Sequence, residues 1–283
     1  MINPITLLAD SLGQNLKETY LQYFDDQQPE FGTVLNGVAR LVIERIGNSD
    51  ALYHNTAHTM LVTFVGQEIL RGRLMVQRVA PEDWLHFLIA LLVHDIGYVR
   101  GICRQDGKNY VVIDEDGNLV TPPRGASDAF LAPYHIERGK IFAVERFEES
   151  PFIDERRIAR AIELTRFPVP DDTDHSETDT EPGLVRAADL ICQLADPFYH
   201  RKINALFHEF SEIGVNEDLG YGSPSDLAEG YPNFFWSKVE PYIRDGLQHL
   251  EMTTEGKQWI ANLHSNIFQV EHRSRYLGPF QGN

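Results

Sequence analysis

The spacing of hydrophobic residues predicts that the chain is mainly helical. In one early segment, the apolar residues that recur at helical intervals are Leu35, Val38, Leu41, Val42 and Ile46. Such spacing places their side chains on one face of a helix, where they can pack against a core. The same pattern predicts helices over three segments near the start of the chain, at residues 3–26, 32–47 and 55–73.

A fourth predicted helix is hydrophobic on almost every side. It begins at Pro81, followed by Glu82 and Asp83, and acidic residues stabilise the positively polarised N-terminal end of a helix. The apolar run WLHFLIALLV follows, and the pattern ends near Gly97. Because such a helix has no polar face for solvent, we predict that it lies at the centre of the core.

The segment 99–123 interrupts the helical pattern. It contains two runs with β-branched residues, NYVVI and NLV, on either side of the turn sequence Asp116-Gly117-Asn118. A glycine among short polar residues is typical of a tight hairpin turn. We therefore predict a small β-hairpin insertion near residues 109–121.

Helical periodicity resumes over residues 127–148 and 154–166, and again in LVRAADLICQLADP. Prolines and acidic residues in 168–183 predict a loop before that last helix. We expect the loop to be solvated or folded over cationic groups, because its negative charge disfavours a lid over a phosphate. No repeat or linker divides the chain, so we predict an all-α fold with one domain over residues 1–283.

The composition and net charge of the chain argue against some classes of binding partner. The chain has 25 Lys and Arg against 42 Asp and Glu, a formal net charge of -17, which repels polyanions at long range. We therefore expect no nucleic-acid polymer and no membrane as partner. A small anionic substrate remains compatible, because a bound divalent cation reverses the local charge. The two cysteines form no CxxC motif and the N-terminus has no basic leader, which favours a cytoplasmic location.

The sequence YHNTAH, at residues 53–58, contains two histidines four residues apart. If the helix begins near Tyr53, His54 and His58 lie one turn apart and address a common centre. A single pair of this kind also arises by chance, and such histidines are more often surface or core residues. The pair alone therefore predicts no metal site.

Two further elements change that interpretation. His94 and Asp95 follow the apolar run of the fourth helix, where an unpaired carboxylate would be costly. Asp189 stands in a second apolar setting, in RAADLICQLAD. A local ion pair or a helix cap would account for Asp95 alone. A shared divalent cation would account for all three residues, since carboxylate oxygen with imidazole nitrogen suits Zn, Mn, Fe or Mg.

The order His58, His94-Asp95, Asp189 on three predicted helices resembles the HD-domain superfamily of metal-dependent phosphohydrolases. Within it, YHN-x-x-H looks like the opening signature of class I cyclic nucleotide phosphodiesterases. The resemblance covers residues 53–196 and implies an HD-domain-like helical bundle. It also implies that these four residues bind the first metal ion.

The same resemblance implies a function, which is hydrolysis of a small phosphoester, with a nucleotide or cyclic nucleotide as the first candidate. It implies one or two divalent ions as cofactor, among Mn, Mg, Zn, Fe and Ni, with a metal-activated water as nucleophile. Asp95 would bridge toward the second ion and so take part in catalysis. His54 would be the general acid that protonates the departing oxygen.

Four positions bear on the second ion and on the phosphate. Phosphodiesterases of that class usually continue HD with two residues and another histidine, whereas this chain has Tyr98 there. His135 is the candidate for a second metal ligand, with an exposed helix-start histidine as the alternative. Some binuclear HD-domain proteins have a histidine where this chain has Arg166 and its neighbours. Arg166 and Arg138 are candidates for holding the phosphate, or else solvated cations.

Two other functions remain open at this stage. Some HD-fold proteins hold two irons and activate oxygen, although the missing histidine near Arg166 disfavours such a di-iron oxygenase here. The second is a non-catalytic metal- or nucleotide-binding sensory protein, which Tyr98 and the unusual hairpin suggest.

Overall fold

Helices joined by short connections make up most of residues 3–276, the part of the chain that this computed structural model describes; side chains are described for residues 3–272. The helices, numbered in chain order, are α1 (Pro4–Phe24), α2 (Glu30–Ile46), α3 (Thr56–Val76), α4 (Pro81–Val93), α5 (His135–Phe147), α6 (Glu155–Leu164), α7 (Glu181–Ala195), α8 (Tyr199–Glu212), α9 (Val215–Leu219), α10 (Pro224–Phe234), α11 (Glu240–Leu250) and α12 (Thr254–Tyr276). The strands β1 (Val111–Val112) and β2 (Leu119–Val120) pair antiparallel. The predicted all-α class with a small hairpin is confirmed.

Helix α4 is buried along nearly its whole length, as its apolar sequence predicts. Every residue from Trp84 to Val93 is buried, and the helix packs against α2, α3, α6 and α7. Gly66 lets α3 approach closely, because a Cβ there would lie 2.1 Å from the Leu91 side chain. The two helices run antiparallel, so the start of α3 lies beside the end of α4.

The end of α4 differs from the prediction. The helix stops at Val93, and a single 3-10 turn, Ile96–Tyr98, follows. Gly97 in this turn lies against the start of α5, since a Cβ there would be 1.9 Å from the carbonyl oxygen of His135. His94 and Asp95 therefore lie just beyond the end of α4, at the start of a tight turn that packs against α5.

Helix α5 also begins later than predicted. A 3-10 turn, Asp128–Leu131, occupies the beginning of the predicted segment, and the helix starts only at His135. Pro133 contributes to the break, because it lacks the N–H group that a continuous helix would use for a backbone hydrogen bond. His135 consequently lies in the first turn of α5, beside the turn that follows α4.

The acidic segment 168–183 folds over basic side chains. Arg186 donates to the carbonyl oxygen of His175 at 2.8 Å, Arg73 to that of Asp179 at 3.0 Å, and Arg160 to that of Asp174 at 2.5 Å. Arg73 and Arg160 also lie within 4.0 Å of the carboxylates of Asp179 and Glu177, so arginines of α3 and α6 offset part of the negative charge of the loop. Among residues 3–276, no helix has both the length and the apolar character that crossing a bilayer requires.

Candidate metal centre

Four side chains predicted as metal ligands converge in the structure. Nε2 of His58 lies 3.3 Å from Oδ2 of Asp95 and 3.3 Å from Oδ1 of Asp189. Nε2 of His94 lies 3.0 Å from Oδ2 of Asp95 and 3.7 Å from Oδ1 of Asp189. Bonds of about 2.1 Å to one ion would separate neighbouring ligands by about 3.0 Å in an octahedron and about 3.4 Å in a tetrahedron. His58, His94 and Asp95 are therefore spaced as ligands of a single cation, and Asp189 adds a carboxylate oxygen within 3.7 Å of both imidazoles.

Local hydrogen bonds aim the two imidazoles. The Asn55 side chain caps α3 by accepting from the backbone N–H groups of Ala57 and His58, at 3.0 and 3.3 Å. This cap sets His58 in the first turn of the helix. Nδ1 of His94 lies 2.7 Å from the carbonyl oxygen of Leu91. Because a carbonyl only accepts, Nδ1 carries a hydrogen and Nε2 is the nitrogen directed at the centre, free to bind a cation once it has lost its proton.

Two buried atoms at the centre lack the hydrogen bonds that burial normally demands. Nε2 of His94 and Oδ2 of Asp95 have no partner among the described residues, although the two side chains are only 1% and 7% exposed. An unsatisfied buried polar group costs about 1–3 kcal/mol. A divalent cation would satisfy both atoms at once, and two carboxylates would neutralise its charge. The residues present therefore fit such an ion.

Electrostatic coupling links the four side chains. Burial alone would lower the pKa of the histidines, but Asp95 and Asp189 outweigh it, raising the pKa of His58 well above its usual value and that of His94 to about 10. Burial alone would raise the pKa of the aspartates, yet the imidazoles hold the pKa of both well below its usual value. A cation that binds here must displace protons from the imidazoles.

His54 lies beside this set and not on the same helical face as His58. Because Asn55 caps a helix that begins at Thr56, and not near Tyr53 as predicted, His54 precedes α3. Its ring centroid lies 5.6 Å from that of His58. Nδ1 of His54 lies 2.5 Å from Oε2 of Glu209, a carboxylate from α8.

Glu209 is a residue of the site that the sequence reasoning missed. Its Oε1 also accepts from the backbone N–H of Tyr53 at 2.6 Å. Burial alone would raise the pKa of Glu209, but the adjacent His54 and these N–H groups hold it below its usual value. One signal was available, since Tyr199, Ile203 and Leu206 place Glu209 on the buried stripe of α8. A charged residue on such a stripe needs a partner.

His135 lies near the centre without joining the four donors. Among the described residues, the group whose donor atoms lie within 4.8 Å of one another is His58, His94 and Asp95. The His135 ring instead stacks on Tyr98, with centroids 4.6 Å apart. Its Nδ1 lies 2.6 Å from the carbonyl oxygen of Ala132, and burial lowers the pKa of the ring.

Arg138, a predicted candidate for holding the phosphate, is enclosed by other groups. Its side chain is fully buried, and both terminal nitrogens donate to Asp106 at 2.9 Å. The remaining N–H groups donate to the carbonyl oxygens of Gly97, Val99 and Val112 at 2.6–2.8 Å. All of its donors are occupied, so Arg138 fastens the hairpin insertion to the turn after α4.

Arg166 lies in a separate cluster of charged side chains. Its guanidinium contacts the carboxylates of Glu137 and Glu163. Lys140 shares both partners, at 2.8 and 2.6 Å. A phosphate near Arg166 would compete with two carboxylates for the guanidinium, whose Nε and Nη2 already donate to Glu163 and Glu137.

Comparison with known proteins identifies a family. A search of curated proteins found no match. A family model described as Npun_R2479-like matches residues 2–273, which include every residue of the candidate centre. The chain therefore belongs to the Npun_R2479-like family.

Proposed function

We propose that the protein is a metal-dependent phosphohydrolase that cleaves a small phosphoester, with a nucleotide or cyclic nucleotide as the first candidate. The observation that carries the proposal is the convergence of His58, His94, Asp95 and Asp189 next to a separately held imidazole, His54. A cation site and a proton donor are the two parts that phosphoester hydrolysis requires. The resemblance of these motifs to the HD-domain superfamily supports the same function.

A bound divalent cation would polarise the phosphoryl group and supply a nucleophile from water at neutral pH. The chain contributes the arrangement around it. His58, His94 and Asp95 are almost fully buried, whereas the side chain of Asp189 is 21% exposed. Substrate would therefore approach past Asp189, while the other side excludes bulk water.

His54 is the proton donor in this proposal. Because Glu209 accepts at Nδ1, that nitrogen keeps its hydrogen and Nε2 is left to exchange a proton with the substrate. The buried carboxylate holds the ring in one orientation and offsets the charge that the ring carries when it is protonated. Delivery of this proton to the departing oxygen would make the alcohol a good leaving group.

The charges around the centre favour a phosphodiester over a phosphate monoester. The two aspartates would neutralise a divalent cation, and Glu209 adds a further carboxylate beside His54. Arg138 and Arg166, the predicted phosphate ligands, are occupied by Asp106 and by two glutamates. A monoester dianion would find little positive charge to balance its own charge. A diester monoanion carries one negative charge fewer and needs less positive charge around it.

A substrate panel tests the function. Chelated protein is reloaded with Mn, Mg, Zn, Ni or Fe and offered bis(p-nitrophenyl) phosphate, p-nitrophenyl phosphate and cyclic nucleotides. We expect metal-dependent turnover of diesters that Asp95→Asn abolishes. Asp10→Asn is the control, since Asp10 lies in a surface ion pair with Arg40. Failure to hydrolyse any ester with any metal would contradict the proposal, and paired iron in protein purified in air would favour an oxygenase.

A cytoplasmic location belongs to the same proposal. Both cysteines, Cys103 and Cys192, are buried and free, which suits a reducing compartment. Small phosphoesters of the nucleotide type are available there.

A further inference from the structure

Tyr98 occupies a fixed position next to the candidate centre. It follows Asp95 by three residues, and its backbone N–H donates to the Asp95 carbonyl oxygen at 3.1 Å. Gly97, the residue before it, packs directly on the His135 carbonyl. The backbone on both sides of the tyrosine is therefore held by the turn and by α5, so the direction of its side chain is set.

The ring of Tyr98 lies between two imidazoles. It stacks on His54 with centroids 4.3 Å apart and an interplanar angle of 12°. It stacks on His135 with centroids 4.6 Å apart and an angle of 25°. The residue is only 4% exposed. Two aromatic contacts leave the ring little freedom to rotate, so its hydroxyl occupies a defined point.

The hydroxyl of this buried residue has a hydrogen to donate, and none of the described side chains or carbonyl groups forms a hydrogen bond with it. The stacked ring places this hydroxyl group beside His54, the imidazole next to the candidate centre. A phenol is neutral at neutral pH, so the group can donate to an acceptor from outside.

We propose that the Tyr98 hydroxyl is a substrate-binding group, which donates a hydrogen bond to a phosphoryl oxygen of the substrate at the centre. This inference rests on the proposed function. A neutral donor suits a diester monoanion, because it adds affinity where Arg138 and Arg166 are both occupied. A purely structural role would use the ring alone, and the stacked contacts would then account for the residue completely.

Removal of the single hydroxyl distinguishes these roles. The substitution Tyr98→Phe keeps the ring between His54 and His135. We measure the affinity of metal-loaded protein for dimethyl phosphate and for inorganic phosphate by calorimetry, and metal content by elemental analysis. We expect dimethyl phosphate to bind on the order of tenfold more weakly to the variant, the effect of one lost hydrogen bond to a charged acceptor. Metal content is expected to stay at the wild-type value.

Tyr20→Phe is the matched control, because Tyr20 is a buried tyrosine of α1 whose hydroxyl donates to the Gln27 and Gln28 carbonyls. It is expected to keep wild-type affinity for dimethyl phosphate. A second measurement uses the protein with its native sequence. All tyrosines are replaced with 3-fluorotyrosine, and the ¹⁹F signal that is missing from Tyr98→Phe is assigned to Tyr98. We expect the Tyr98 signal to shift when dimethyl phosphate is added to metal-loaded protein.

The outcomes separate this inference from the proposed function. Equal affinity in Tyr98→Phe and wild type, no affinity in metal-loaded wild type, or loss of metal from the variant would each overturn the role of the hydroxyl. An unshifted ¹⁹F signal at saturating dimethyl phosphate would do the same. Binding that depends on Tyr98 in a protein that hydrolyses no ester would leave the inference intact and refute the phosphohydrolase.

Discussion

The Glu209 carboxylate accepts a hydrogen bond of 2.5 Å from the imidazole of His54, although the two residues are 155 positions apart in the chain. This contact brings α8 against the loop that precedes α3. It gives His54 a fixed tautomer and a charged partner that is itself almost fully buried. Glu209 therefore controls the group that we propose as proton donor.

We expect Glu209→Gln to lower kcat by on the order of 10–100-fold, the usual effect of losing a carboxylate that orients a functional imidazole. Metal content and KM are expected to stay close to wild type, because Glu209 contacts none of the four candidate ligands. Steady-state kinetics over a pH range, together with elemental analysis, measures both. Glu212→Gln, one turn along α8 and exposed, is the control. An unchanged kcat would refute the role given to Glu209.

We expect Asp189→Asn to weaken metal binding by at least on the order of 100-fold, since it removes the negative charge of one of the four candidate ligands. Asp189 is the informative position because its Oδ1 lies farthest from His94, at 3.7 Å. Competition with a fluorescent chelator measures the affinity. Asp10→Asn should bind metal as wild type does. Wild-type affinity in Asp189→Asn would reduce the centre to three ligands.

Metal binding at pH 8 is expected to release at least one proton per ion. Without a cation, His94 holds a proton at this pH, since its pKa is about 10, and the raised pKa of His58 favours a second. Affinity should therefore fall as pH decreases, because protons compete for the same nitrogens. Calorimetry in buffers of different ionisation enthalpy counts the protons. Binding without proton release would show that the ion does not contact these nitrogens.

Arg138→Met is expected to lower the free energy of unfolding by about 3–5 kcal/mol, because it leaves the Asp106 carboxylate buried and unpaired. Urea unfolding measures this change. Arg146→Met, an exposed arginine of the same helix, should change stability by less than about 0.5 kcal/mol. Adding Asp106→Leu to Arg138→Met should recover part of the loss. A small effect of Arg138→Met would mean that the pair is not essential to the fold.

Much of the fold could be predicted from the sequence because local patterns determine it. The apolar run of α4 predicts its burial, and the hairpin turn follows from Asp116-Gly117-Asn118. Helix ends were less accurate. Helix α3 begins only after His54, because the Asn55 side chain caps it. Helix α4 ends before Gly97, which packs against α5. Both helix ends depend on contacts between atoms that the sequence pattern does not show.

The candidate site could be predicted only in part. His58, His94, Asp95 and Asp189 stand in apolar surroundings that single them out, and the structure brings them together; their binding of a metal stays a prediction. Glu209 comes from a distant helix, and only its place on a buried stripe marks it. The role of Arg138 stays a prediction, and the full enclosure of its side chain, which disfavours that role, is not visible in the sequence.

The enclosed Arg138 also limits how this chain could vary among related proteins. Its guanidinium lies directly under the turn that carries Asp95 and reaches into the hairpin at Val112. Deletion of residues 106–121, which are the hairpin together with Asp106 before it, would strip the guanidinium of its counter-charge in a space without solvent. A shorter relative must therefore replace the arginine with an apolar residue in the same evolutionary step, so the insertion and position 138 are expected to be gained and lost together.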